Sequence, residues 1–210
     1  EFFARLLAMT GTSINAIDTR FLGLTQYIAG SHQWEQLVHD VQGESWFTDR
    51  ETNDVLLDQI LRRLAPERLP EGVMRSYADV IQLACSGPDF FTTYQNILQW
   101  ASGEKDVLKQ AAQRMKAGSP GSVRLAFELL KKGRFLSLAD VFRLEYITLL
   151  NCAGSPDLKE GIRALLIDKD RSPAWTPASV NEADARFIRR YFKPPWPTDE
   201  AHPLASLGVE

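Results

Sequence analysis

Asp157-Leu158-Lys159-Glu160-Gly161-Ile162-Arg163-Ala164-Leu165-Leu166-Ile167-Asp168-Lys169-Asp170-Arg171-Ser172-Pro173-Ala174-Trp175 is the stretch whose reading decides the fold. Ser155-Pro156 opens it as a helix N-cap followed by proline at the first helical position, with Asp157 in the first turn. Leu158, Ile162, Leu165 and Leu166 then recur at helical spacing, which predicts one face built to be covered. Gly161 inside that helix costs about 1 kcal/mol relative to alanine, so something is expected to pack there too closely for a side chain. The helix runs into an alternating charge cluster, and Pro173 disfavours helical geometry at Ser172.

With its spacing of acid, glycine, arginine and a Pro-x-Trp close, the stretch resembles the C-terminal signature of the enoyl-CoA hydratase/isomerase (crotonase) superfamily. It is most similar to the 3-hydroxyisobutyryl-CoA hydrolase branch, with Leu158 where that branch usually has phenylalanine. Two further segments resemble the family in the same order. One runs from Leu7-Ala8-Met9-Thr10-Gly11 through Asn15, Asp18 and Gly23-Leu24, and the other is Gly118-Ser119-Pro120-Gly121-Ser122. The resemblance implies an acyl-CoA thioester hydrolase of valine breakdown, with coenzyme A entering as part of the substrate and no separate cofactor. An enoyl-CoA hydratase or isomerase, and a non-catalytic helical lid or association module, are the alternatives.

In that family a repeated strand-strand-helix half supplies the coenzyme A pocket, the oxyanion donors and the catalytic carboxylates. The chain opens at Glu1-Phe2-Phe3 without such a half, so the resemblance implies the C-terminal portion of a larger enzyme and assigns no catalytic residue here. The expected fold is mainly α: the C-terminal helical part of a crotonase-like α/β spiral, with one short strand and a helical insert. Residues 1–42 are read as the end of the spiral core, 43–117 as the insert, 118–192 as the C-terminal helical region carrying the signature, and 193–210 as a tail. The insert's length and helical content favour the hydrolase branch. The resemblance further implies that 1–28 are covered by the absent half or by another chain, and that the enzyme assembles from several copies.

Composition agrees with a soluble globular protein: 44% hydrophobic and 24% charged residues over 210 positions, with net charge −3. Lys and Arg are scattered among Asp and Glu, which argues against a nucleic-acid surface. Cys85 and Cys152 are too few for a disulfide scaffold and fit a reducing compartment. No apolar run is long enough for a membrane span, and no leader is expected within these residues. The expected location is the cytoplasm, or the mitochondrial matrix if a preceding segment targets the protein there.

Along the chain, apolar stripes predict helices over most of the length, with starts at Asn15, Ser31, Ser119, Ser137 and Ser179. Leu24-Thr25-Gln26-Tyr27-Ile28, bounded by Gly23 and Gly30, is the one strand expected. Lys193-Pro194-Pro195-Trp196-Pro197 is expected to end regular structure and leave a loose tail.

Chemistry-bearing residues are few. His32, His39 and His202 have no acidic or cysteine partner at ligand spacing, so no metal site is expected. No Gly-x-Ser-x-Gly elbow and no Gly-x-Gly-x-x-Gly loop is present. Glu145 flanks an apolar stripe, where a charge needs a partner, and Arg163 is the expected one. The resemblance places a coenzyme A phosphate contact at Lys169, with Arg171 assisting. Asp168 and Asp170 would oppose that contact unless turned away.

Overall fold

The computed structural model describes residues 1–66 and 68–208. Among them twelve α-helices follow one another: α1 (Phe2–Thr10), α2 (Ala16–Phe21), α3 (Trp34–Gly43), α4 (Arg50–Arg63), α5 (Val73–Ser76), α6 (Ala78–Cys85), α7 (Phe90–Leu98), α8 (Asp106–Ala117), α9 (Pro120–Gly133), α10 (Leu138–Ala153), α11 (Pro156–Ile162) and α12 (Ala185–Arg189). They form two compact units. One comprises Glu1–Thr12 and the described chain from Gln82 onward, and the other comprises Ser13–Ile81.

The expected strand is absent, and no strand occurs among the described residues. Gly23 adopts φ 74°, and the Leu24 N–H bonds back to Thr19 O at 2.9 Å. Leu24 therefore closes α2 in a left-handed cap instead of starting a ladder. Further on, the Thr25 hydroxyl donates to Tyr27 O and the Tyr27 hydroxyl donates to Asp58, so local partners replace a neighbouring strand.

Within Ser13–Ile81 the organising residue is Asp18, which is 1% exposed. Its carboxylate accepts the Met74 N–H at 2.8 Å and faces the Asn15 N–H, while the Asn15 side chain accepts the Asp18 N–H at 3.0 Å. This capping box starts α2 and fastens α5 to it. Gly72 is required there, because a Cβ would lie 2.7 Å from Ile17 Cγ2.

The larger unit is built on Leu6, Met9, Phe90, Ile97, Leu108, Met115 and Phe127, all nearly inaccessible. The Phe90 ring meets Phe127 edge-on at 5.7 Å. Arg5 donates to Cys85 O and Gly87 O at 2.9 and 3.0 Å, which satisfies the carbonyls where α6 ends. Part of α1 is covered by the chain itself, while Phe2, Phe3 and Leu7 stay half-buried. Leu6 and Met9 of α1 belong to the chain's own core, packed with α8 and α9.

Caps at Ser119 and Ser137 fall where the sequence places them, with hydroxyls accepting the Ser122 and Asp140 N–H groups at 3.1 and 3.2 Å. Ser31 does not cap, and Ser179 caps only the turn ahead of α12, its hydroxyl accepting the Glu182 N–H at 3.4 Å. Gly30 precedes the 3-10 turn Ser31–Gln33 that leads into α3, and Asp184 caps α12 by accepting the Phe187 N–H. Nor is the tail loose up to Gly208. The Arg143 guanidinium of α10 donates to the carbonyls of Leu204, Ala205 and Leu207, and the His202 ring contacts Arg143 O and Leu204 N–H. Trp196 meets that imidazole edge-on at 5.1 Å.

Candidate functional site

The signature stretch folds into a clasp. α11 ends at Ile162, and Arg163–Ile167 widen into a π turn in which the Asp168 N–H reaches Arg163 O at 2.8 Å. The following chain then doubles back along α11. Trp175 lands on Gly161, where a Cβ would stand 3.2 Å from the ring carbon Cη2, so the glycine is the place where the indole closes on the helix. The indole N–H donates to Ala117 O at 3.0 Å.

Four acids hold the return. The Asp157 carboxylate accepts from the Ser119 hydroxyl at 2.5 Å and from the Thr176 N–H at 2.8 Å, tying the start of α9 to the start of α11. Glu160 accepts the Ala174 N–H at 2.7 Å and grips Arg163 through both carboxylate oxygens at 2.7 and 2.9 Å. Arg163 spends its remaining N–H groups on Asp168 and Asp170, each at 2.6 Å, and on Ser172 O. The Arg163 guanidinium and the Ala174 N–H pull the Glu160 carboxyl down to about 2. The guanidinium itself is held well above its ordinary value by the three carboxylates, and it lowers Asp170 as well.

The consequence falls on the two residues between and after those aspartates. Lys169 and Arg171 adopt φ 57° and 54°, left-handed conformations that cost a side-chain-bearing residue about 1–2 kcal/mol each. The anchored aspartates and an Arg171 N–H to Ala164 O bond of 3.0 Å hold them there. Both side chains are exposed, and among the described residues no carboxylate pairs with either. Asp168 and Asp170 face Arg163, not the lysine between them.

The expected Glu145–Arg163 pair does not form. Arg163 is fully committed within the clasp, while Glu145 is exposed and has no basic partner among the described residues. Glu145 borders an apolar hollow of about 520 Å³ with Leu129, Phe142, Tyr146 and Leu149. Sequence spacing missed Glu160 as the partner, although it lies only one helical turn before Arg163 and on the same face.

Alongside the clasp runs a larger groove of about 1190 Å³. Its floor is Ser122, Leu125 and Cys152, its wall is Leu158 and Ile162 of α11 with Leu165 of the π turn, and Arg171 stands at its edge. Leu158, Ile162, Leu165 and Leu166 are 42–64% exposed, so the face built to be covered is open. The groove holds charge only at its rim, with Arg114 and Arg171 against Asp157, which is already bonded. Such a surface suits an apolar body with an anionic end. No cluster of His, Cys, Asp and Glu suited to a metal occurs among the described residues. Burial raises the Cys85 thiol to about 12 and also raises Cys152, which argues against either as a nucleophile. No described helix is long and apolar enough to cross a membrane.

Comparison with known proteins places this geometry. The profile of the enoyl-CoA hydratase/isomerase family matches residues 1–192. A mitochondrial 3-hydroxyisobutyryl-CoA hydrolase of Gallus gallus is 30% identical over 189 residues, 90% of this chain and 48% of that protein. The Dictyostelium discoideum counterpart is 40% identical over 87 residues, covering 41% of this chain and 23% of that protein. A carnitinyl-CoA dehydratase structure from Mycobacterium thermoresistibile superposes with TM-score 0.75 at 21% identity, over 100% of this chain and 58% of the other. The chain thus spans about half the length of the curated relatives it matches. It belongs to the enoyl-CoA hydratase/isomerase family, in the company of the 3-hydroxyisobutyryl-CoA hydrolases.

Proposed function

We propose that the protein is an acyl-CoA thioester hydrolase that cleaves 3-hydroxyisobutyryl-CoA to the free acid and coenzyme A, and that this chain forms part of it. The observation that carries the reading is the 30% identity to a 3-hydroxyisobutyryl-CoA hydrolase over 90% of the chain. A match that long runs through the 43–117 helices, the segment whose length favours the hydrolase branch. Relatives named as mitochondrial support a matrix location, and cytoplasmic residence has no comparable support. We assign no catalytic residue to this chain.

In this reading Lys169 meets the ribose phosphate of coenzyme A. Its ammonium is a flexible point charge, released from its neighbouring aspartates because Arg163 holds both. Arg171, at the edge of the apolar groove, adds a second cation to the same anion. The open face of α11 is the surface that another part of the enzyme, or another copy, covers.

The test is product release by the intact protein. Offered 3-hydroxyisobutyryl-CoA, it should liberate free thiol in proportion to enzyme, and it should not hydrate crotonyl-CoA at a comparable rate. Rapid hydration with no thiol release would establish the hydratase alternative instead, and inertness toward both would leave the lid or association role.

A further inference from the structure

Away from the clasp, α12 and the turn after it carry Arg186, Arg189, Arg190 and Lys193 within eight residues. All four are exposed and line one cleft of about 640 Å³. Elsewhere in the same unit Arg5, Arg124, Arg134, Arg143 and Arg163 each meet a carboxylate. The four cations of the cleft meet none among the described residues. Among the described residues the one acid lining it is Asp184, whose carboxylate is occupied by the Phe187 N–H at 2.7 Å. A chain with net charge −3 has therefore gathered four unneutralised cations around a single concavity.

The cleft is also partly organised. The Arg190 guanidinium lies 3.9 Å from the Phe187 ring centroid and donates to the Tyr191 hydroxyl at 3.2 Å, which restrains it without neutralising it. The Arg189 Nε–H rests on Ala185 O at 3.2 Å, which leaves its terminal nitrogens available. Phe187 and Tyr191 in turn pack in the cluster with Leu125 and Ile188, so these cations stand on a fixed base.

We propose that this cleft binds a small ligand bearing two linked phosphates, of the kind found in nucleoside diphosphates. Guanidinium groups match phosphate oxygens bidentately, and Lys193 supplies a movable point charge at the end of the row. Four cations against one committed carboxylate exceed what one phosphate balances, and the volume leaves room for a second. Neither Lys169 nor Arg171 takes part, so the site stands apart from the coenzyme A contact proposed above.

Calorimetric titration of the intact protein with inorganic pyrophosphate tests the assignment. Pyrophosphate should bind more tightly than orthophosphate, and the affinity should fall steeply as salt rises. The double variant Arg190→Gln/Lys193→Gln should lose about tenfold or more, as expected for charge-assisted contacts. Arg50→Gln removes an exposed arginine of the other unit and should leave binding intact. Absence of pyrophosphate binding, its persistence in the double variant, or an equal loss in Arg50→Gln would overturn the proposal. A loss in Lys169→Ala instead would also overturn it, by moving the anion to the signature turn.

Discussion

Glu160 is the residue through which the clasp is most simply tested. Its carboxyl sits at about 2 because Arg163 and the Ala174 N–H favour the charged form, against an ordinary value of 4.5. A depressed carboxyl contributes stability that is complete above about 4.5 and drains away as pH falls through about 2. Thermal melts of the parent and of Glu160→Gln should therefore differ by a gap that is constant above about pH 4.5 and narrows steadily toward pH 2. A gap of the same size across that whole window would show that the carboxylate's charge is not what holds the return segment. Spacing had offered Arg163 to Glu145, whereas its partner is the acid one helical turn before it. An apolar stripe says which face is covered, but it does not say which of several nearby acids a long arginine will choose.

At the scale of elements, caps and breakers were legible where one residue decides the backbone. Ser119, Ser137 and Asn15 start helices as read, and Gly161 carries the close approach that its helix interior implied, with Trp175 as the partner. Gly161→Leu should destabilise the protein by about 1–3 kcal/mol, since the Trp175 ring must move and its Ala117 bond with it. A denaturation midpoint no lower than the parent's would mean that Trp175 is not closed on α11. The strand at 24–28 failed for a reason of the same kind. Its β-prone residues were visible, but the Gly23 cap and the side-chain partners of Thr25 and Tyr27 were not. Likewise, the tail reads as polar and proline-rich, yet Arg143 holds it through backbone carbonyls that no sequence pattern displays.

For the whole molecule, the family rests on the profile match over residues 1–192, and the similarity to 3-hydroxyisobutyryl-CoA hydrolases points to the branch. The fold alone does not separate hydrolase from hydratase, because a dehydratase and an enoyl-CoA hydratase share it at 21% identity. What the signature adds is a physical role for its charged positions in this chain's own sequence. Arg163 gathers Glu160, Asp168 and Asp170, Asp157 is held by the Ser119 hydroxyl and the Thr176 N–H, and Lys169 is left in a left-handed turn with no acid paired to it among the described residues. The measurement that tests this most directly compares binding of coenzyme A with that of 3′-dephospho-coenzyme A by the intact protein and its Lys169→Ala variant. Lys169→Ala should weaken coenzyme A several-fold, by an amount that shrinks with added salt, and should barely change binding of the dephospho analogue. Equal losses for both ligands, or no loss for either, would contradict the account and leave Lys169 as a structural residue of the turn.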